Sequence, residues 1–146
     1  MTISVKSFGE LSGAEVYEIL KARYDVFAVE RRICYPDMDN VDYEALHVFA
    51  KDDNGLVHAY LRLYRDAAEP SAVHMGRVLT RRHGIGLGRQ VVEAGIRAAR
   101  DIPGASSVVL HSQQYCSGFY SKMGFDITSD IFEEAGIPHL RMELQL

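Results

Sequence analysis

A glycine-rich segment, residues 81–89 (RRHGIGLGR), stands where a strand-like pattern gives way to a helix-like pattern. The first N–H groups of a helix have no partner inside the helix, and the helix dipole adds partial positive charge there. Glycine has no Cβ atom, so a phosphate can approach its backbone closely. The segment therefore predicts a site for a phosphate or pyrophosphate group. The residues expected to form it are Arg82, His83, Gly84, Ile85, Gly86, Leu87, Gly88 and Arg89.

The spacing of the glycines narrows the kind of phosphate site. No GxxxxGK[ST] motif of a P-loop occurs, and a GxGxxG dinucleotide motif fails because its third glycine position holds Arg89. The segment does match [Q/R]xxGxG from Arg81 to Gly86, and a near match with histidine in first place runs from His83 to Gly88. We prefer the second register because the helix is expected to begin near Arg89. A glycine turn that only joins a strand to a helix is the alternative interpretation.

A second segment downstream, residues 118–125 (GFYSKMGF), combines aromatic residues with glycine. Together the two segments resemble the [Q/R]xxGxG and FYxxxGF motifs of the GNAT acyltransferases. This resemblance implies that the glycine turn holds the pyrophosphate of coenzyme A, and that Phe119 and Tyr120 lie beside its pantetheine arm. It also implies that Tyr120 donates a proton to the departing thiolate. A buried aromatic residue whose hydroxyl is bonded locally is the alternative for Tyr120.

Further segments are similar to the ElaA-like subfamily of GNAT proteins, so that the resemblance extends over nearly the whole chain. They are residues 26–32 (VFAVERR) with Tyr35-Pro36, residues 76–78 (GRV) and residues 136–139 (GIPH). Two features depart from that subfamily. His111 stands where glycine is typical, and the turn before the glycines is shorter. The resemblance does not supply the acceptor substrate.

The resemblance implies that an amine attacks the thioester of acetyl-CoA directly, within a ternary complex. Backbone groups of Val78, Leu79 and Thr80 are then expected beside the pantetheine and the acetyl group, with the Leu79 N–H stabilising the oxyanion. A backbone donor of this kind contributes about 3 kcal/mol to catalysis.

The attacking amine must lose a proton, which requires a base. Three side chains are candidates for the base or for the acceptor site: Glu30, His111 and His139. Tyr35 is expected to bind the acceptor together with Glu30 and His139. Asp37 and Asp39 in the same loop would favour a cationic acceptor, although a surface acidic loop explains them equally well.

Hydrophobic periodicity predicts the elements that carry these residues. Strands are expected near 2–8, 46–52, 57–64, 73–80 and 107–111, with two more after Phe125, and helices near 13–30, 89–100 and 116–123. Val57, Ala59, Leu61 and Leu63 alternate and share one predicted strand face.

The order of these elements predicts the fold class. The strand, glycine turn, helix and strand at 73–111 form a βαβ unit with parallel strands, whereas the hairpin before it requires antiparallel strands. We expect a single α/β (α+β) domain over residues 1–146, with a mixed, mostly antiparallel sheet and helices on both faces. The GNAT resemblance adds a central, splayed pair of parallel strands.

The composition limits the classes of partner. The 146 residues include 47% apolar and 25% charged residues with a formal net charge of −4, so nucleic acid is not an expected partner. The two cysteines, Cys34 and Cys116, form no CxxC pair, and we expect neither a metal nor a disulfide. No signal peptide or membrane-spanning run is apparent, so a cytoplasmic protein without membrane contact is expected.

We therefore expect a cytoplasmic N-acetyltransferase that uses acetyl-CoA as co-substrate and acetylates a primary amine of a small molecule or peptide. Two alternatives belong to other classes: a non-catalytic acyl-CoA-binding or sensing domain, and a nucleotide-binding regulatory module. The alternating last strand leaves a homodimer open, because an edge strand can pair with another copy.

Overall fold

The computed structural model describes all 146 residues, and eight strands form one sheet. In chain order the strands are β1 (Thr2–Ser7), β2 (Leu46–Lys51), β3 (Val57–Arg65), β4 (Ala72–Thr80), β5 (Ser107–Gln113), β6 (Asp126–Ile127), β7 (Phe132–Glu134) and β8 (Ile137–Gln145). Their order across the sheet is β1-β2-β3-β4-β5-β8-β6, with β7 also paired to β8. All neighbouring pairs are antiparallel except β4 and β5. The predicted mixed, mostly antiparallel sheet is confirmed.

The helices cover both faces of this sheet, as predicted. They are α1 (Gly13–Arg23), which continues as a π-helical segment over Tyr24–Glu30, α2 (Leu87–Arg100) and α3 (Ser117–Ser121). Helix α2 packs on one face in a core of 18 buried residues that includes Leu61, Val92 and Val108. The smaller core beneath α1, on the other face, has seven buried residues. None of the helices has the length and hydropathy that a membrane span requires.

Helix α2 approaches the sheet unusually closely at Gly95. A Cβ atom at this position would lie 2.9 Å from the side chain of Met75 and 3.1 Å from that of Leu61. Glycine at this position therefore lets α2 pack close to β3 and β4. This close packing fixes where the N-terminus of α2 lies relative to the end of β4.

The parallel strands β4 and β5 pair only over a short stretch. Ala72, Val73 and His74 are opposite residues 107–109, and the rest of β4 has no partner on that side. A β-bulge at Arg77, whose φ is +53°, bends β4 at the point where the strands separate. The predicted splayed pair is confirmed, and the gap between its strands opens into the interior of the molecule.

Several element boundaries differ from the predictions. Helix α2 begins at Leu87, two residues before the predicted start at Arg89. The predicted helix 13–30 is α-helical for 11 residues and then π-helical. Val57 does not share a face with Ala59, because a bulge between β2 and β3 turns it into the core beneath α1. The end of the chain forms three strands instead of two.

Candidate active site

A cavity of about 960 Å³ occupies the gap between β4 and β5. Its walls come from α1, the π-helical segment, the loop 31–38, the two strands, α3 and the turn before β8. The N-terminus of α2 lies at one end, where His83 and Gly88 form part of the wall. Tyr35, His111, Tyr120 and His139, which the sequence singled out on separate elements, therefore meet around a single space.

The glycine turn presents unpaired backbone amides at that end of the cavity. Gly84 and Gly86 have φ angles of +81° and +77°, and Gly86 is the N-cap of α2. The first hydrogen bond of the helix runs from the Gln90 N–H to the Gly86 carbonyl, and the amides of residues 83–89 donate to no group of the protein. These amides form the anion-binding arrangement that a helix N-terminus provides.

The glycines of the two motif registers lie in different parts of the turn. The left-handed backbone falls on Gly84 and Gly86, the glycines of the match that begins at Arg81. Gly88 lies inside the first turn of α2, where its Cα faces Thr80 and Phe119. The expected helix start near Arg89, on which the preference for the register beginning at His83 rested, is wrong because α2 begins at Leu87, and the choice of register itself stays a prediction.

The cationic side chains of the turn differ in whether they are already paired with a carboxylate or free to bind an anion. Arg81 is committed to Asp25 at 2.6 Å, and Arg89 pairs with Glu93 at 2.9 Å. His83 lies 4.0 Å from Glu30, and both side chains are exposed. Arg82 is exposed and forms no ion pair, so it is the arginine of the turn that is free to meet an anion.

Tyr120 occupies the wall of the cavity with its hydroxyl unpaired. It lies on α3, is 8% exposed, and packs edge-on against Phe119 and Phe125. The hydroxyl makes no hydrogen bond within the protein, so the alternative of a locally bonded phenol is excluded for this structure. Burial raises the pKa of Tyr120 above its ordinary value, and nearby Cys116 adds to this shift. The phenol is therefore protonated at neutral pH.

The backbone of Leu79 faces away from the cavity. In the antiparallel ladder the Arg81 N–H donates to the His58 carbonyl, and Leu79 is opposite Tyr60. Hydrogen-bonded pairs alternate along such a ladder, so the Leu79 N–H points toward Tyr60. The prediction that this N–H stabilises an oxyanion is wrong. By the same alternation the amide of the neighbouring Thr80 points to the side of the gap.

The far end of the cavity holds two imidazoles around one carboxylate. The Nδ1 atom of His111 lies 2.8 Å from Oε1 of Glu134, and Nε2 of His139 lies 3.7 Å from Oε2 of Glu134. The Nδ1 atom of His139 is 2.7 Å from the Ile137 carbonyl. The hydrogen bond from His111 lowers the pKa of Glu134, although burial opposes that shift. Glu134 is therefore ionised at neutral pH.

Glu30 and Tyr35 lie in different surroundings. Glu30 ends the π-helical segment with its side chain 56% exposed, and it is not part of the cavity wall. Tyr35 lines the cavity from the loop 31–38 and is also largely exposed. The structure thus brings His111, His139 and Tyr35 to one space and leaves Glu30 outside it.

Asp37 and Asp39 are neutralised by arginines. Asp37 accepts from Arg23 and Arg77, each at 2.8 Å, and Asp39 binds both terminal nitrogens of Arg62 at 2.8 and 2.6 Å. The idea that these carboxylates favour a cationic acceptor is therefore wrong. Their role is to hold the loop 31–44 against the sheet.

Two residues of the site escaped the sequence reasoning, namely Glu134 and Arg77. Glu134 is only five positions before His139 in the same hairpin, a proximity that could have drawn attention to it. The left-handed φ is adopted by Arg77 itself and not by a glycine, so the glycine positions in the sequence do not predict it. No group of three or more histidine, cysteine, aspartate or glutamate side chains is arranged to hold a metal ion.

Comparison with known proteins identifies the family. Residues 17–146 match the acetyltransferase (GNAT) domain family. A UPF0039 protein of Schizosaccharomyces pombe is 33% identical over an alignment of 145 residues that covers 97% of this chain and 95% of the relative. The protein ElaA of Escherichia coli is 30% identical over 91% of this chain and 89% of its own length.

Solved structures agree with the sequence relatives. An acyl-CoA N-acyltransferase from Pseudomonas aeruginosa superimposes with a TM-score of 0.90 at 30% identity, with 99% of each chain covered. The crystal structure of Escherichia coli ElaA also gives a TM-score of 0.90, at 26% identity over 98% of each chain. The chain belongs to the GNAT acetyltransferase family and, within it, to the ElaA-like proteins.

Proposed function

We propose that this GNAT protein transfers the acetyl group of acetyl-CoA to a primary amine by direct attack within a ternary complex. The observation that carries the proposal is the single cavity between β4 and β5. It connects the unpaired amides of the glycine turn to the unpaired hydroxyl of Tyr120 and the imidazoles of His111 and His139. A thioester bound at one end can thus meet an amine bound at the other.

The cofactor end offers three kinds of contact to coenzyme A. The amides of residues 84–89 and the side chain of Arg82 would hold the pyrophosphate. Val78, Leu79 and Thr80 line the gap beside the pantetheine, with Phe119 and Tyr120 on the opposite wall. We assign the role of oxyanion donor to the amide of Thr80, on the side of β4 that faces the gap, in place of the Leu79 amide.

The chemistry requires a base for the amine and an acid for the thiolate. His111 and His139 line the cavity and are therefore better placed as the base than Glu30. Tyr120 is the acid because its phenol is protonated and faces the cavity. Burial raises the pKa of the Tyr120 phenol further above that of an ordinary thiol. The same buried surroundings disfavour a free thiolate and so raise the pKa of the thiol as well, which makes the difference between the two pKa values smaller again.

The first test is binding of the acyl donor and its turnover. Acetyl-CoA is expected to raise the melting temperature, because a ligand that binds only the folded state stabilises it, whereas ATP and NAD leave it unchanged. Release of the coenzyme A thiol in the presence of a panel of amines measures transfer. Binding without release for any amine would favour a non-catalytic acyl-CoA-binding domain. A shift with ATP or NAD alone would favour a nucleotide-binding module.

Replacing Gly86 by alanine tests the glycine turn. A side chain at φ +77° introduces about 1–2 kcal/mol of local strain, so the N-terminus of α2 is expected to rearrange. We expect the Kd of acetyl-CoA, measured by calorimetry, to rise about tenfold, in line with that strain. The matched control is Gly55→Ala in the β2–β3 turn, where φ is +84° and the residue does not line the cavity. Equal affinity of both variants for acetyl-CoA would contradict the proposal that the glycine turn binds the pyrophosphate.

A further inference from the structure

We propose that Glu134 and His139 together bind the ammonium group of the acceptor, through Oε2 of Glu134 and Nε2 of His139. The inference rests on the proposed transfer to an amine and deepens it, because it names the group that recognises the acceptor and the form in which the acceptor binds. It predicts a substrate that is a protonated alkylamine rather than a neutral arylamine.

The proton positions around Glu134 follow from its neighbours. A carbonyl oxygen accepts but cannot donate, so the 2.7 Å contact with the Ile137 carbonyl places a proton on Nδ1 of His139. In neutral His139 the other ring nitrogen, Nε2, then carries a lone pair. The 2.8 Å contact between Nδ1 of His111 and Oε1 of Glu134 likewise places a proton on that Nδ1. This contact occupies Oε1 and leaves Oε2 without a donor.

Two hydrogen-bond acceptors thus face each other across 3.7 Å with no donor between them. Both residues line the cavity, and His139 is only 6% exposed. An ammonium nitrogen can lie within about 3 Å of both atoms and donate to each. A neutral arylamine has fewer protons to donate and no charge to set against the carboxylate.

The charges of the cavity wall support a cation at this position. Only two carboxylates line the cavity, and Asp37 is already paired with Arg23 and Arg77. Glu134 forms ion pairs only with imidazoles, and Arg77 acts on it only from beyond ion-pair distance, so Glu134 is the lining carboxylate without a directly paired arginine or lysine. A cationic acceptor supplies the missing charge.

The site also accounts for the protons of the reaction. Nε2 of His139 takes one proton from the ammonium, and the nitrogen lone pair attacks the acetyl carbon. The carbon–sulfur bond breaks, and the leaving sulfur takes the proton of Tyr120. A proton from the acylated nitrogen returns to the phenol through solvent, and His139 releases its proton to water. One amide, one thiol and one free proton result, and the imidazolium formed meanwhile lies next to Glu134.

The test compares two probes that differ in charge, benzylamine and aniline, at neutral pH. In Glu134→Gln the amide oxygen can still accept from His111, but the charge is lost. We expect the KM of benzylamine to rise about tenfold, as for loss of one charge-assisted hydrogen bond, with a smaller change in kcat. Rates with aniline and the KM of acetyl-CoA should stay within about twofold of wild type.

The matched control is Glu133→Gln, the adjacent exposed carboxylate on β7, which should leave both amines unaffected. Calorimetry with benzylamine on the coenzyme A-saturated protein provides a readout that does not need turnover, and we expect Kd to rise about tenfold in Glu134→Gln. An equal effect on both amines, no effect, or no binding of benzylamine to wild type overturns the inference. Failure of the proposed function differs from these outcomes, because either acetyl-CoA would no longer raise the melting temperature or no amine of the panel would release the coenzyme A thiol.

Discussion

Replacement of Tyr120 by phenylalanine is expected to lower kcat about 100-fold or more, the usual contribution of a general acid. The substitution removes one oxygen atom and leaves the packing against Phe119 and Phe125 intact. Because the hydroxyl is bonded to no group of the protein, its loss breaks no internal hydrogen bond. The Kd of acetyl-CoA and the melting temperature should therefore remain close to those of wild type.

Tyr115→Phe is the matched control for this variant. Tyr115 lines the same cavity, but it is 71% exposed, so water can replace its hydroxyl. We expect a change in kcat of about twofold or less for this control. Steady-state thiol release with both substrates saturating measures the difference. A Tyr120→Phe enzyme with the kcat of wild type would show that the leaving sulfur takes its proton from solvent.

The parts of the site that the sequence could predict depend on local chain geometry. A glycine turn between a strand and a helix leaves the first amides of the helix without partners inside the helix, and the amides of residues 83–89 are indeed unpaired. The start of α2 was misplaced because Gly88 was treated as part of the turn. Glycine weakens a helix, yet here it occupies the first helical turn beside Thr80 and Phe119.

The parts that could not be predicted depend on contacts between distant segments. Glu134 meets His111 because β8 pairs with β5, which places His139 opposite Gln113. No periodicity in the sequence specifies that register. The bulge at Arg77 could not be predicted either, because no sequence pattern marks an arginine that adopts a left-handed φ. The π-helical segment Tyr24–Glu30 shows a pattern that resembles an ordinary helix closely enough to be read as one.

The arginine–aspartate network is the largest feature of this second kind. It consists of Arg23, Arg62 and Arg77 with Asp37, Asp39 and Asp42, joined by ion pairs of 2.6 to 3.5 Å. The arginines come from α1, β3 and β4, and the aspartates all lie in the loop before β2. Because this loop forms a wall of the cavity, the network connects the stability of the fold to the shape of the acceptor end.

Arg23 is the member whose loss should cost most. Its side chain is fully buried, and it donates to Asp37 at 2.8 Å, to Asp42 at 2.7 Å and to the Asp37 carbonyl at 3.0 Å. Removing one partner of a buried ion pair leaves the other poorly compensated, at a cost of about 3–5 kcal/mol. We therefore expect Arg23→Met to lower the free energy of unfolding by that amount, measured by urea denaturation at neutral pH. Arg97→Met, an exposed residue of α2 without an ion pair, should change it by about 0.5 kcal/mol or less.

The acid dependence of stability separates the loss of charge pairing from a simple packing defect. Arg62 lowers the pKa of Asp39 to about 2, and although burial opposes it, Arg23 and Arg62 also lower the pKa of Asp42. Both values lie below the unfolded value of about 3.9, so this stabilisation is complete above that pH and is lost as the pH falls toward the folded pKa. In Arg23→Met the pKa of Asp42 is lowered less, so Asp42 contributes less pH-dependent stability. The free energy of unfolding should therefore fall less steeply between neutral pH and acid than in wild type. An unfolding free energy that is lower by the same amount at every pH would mean that Arg23 acts through packing alone.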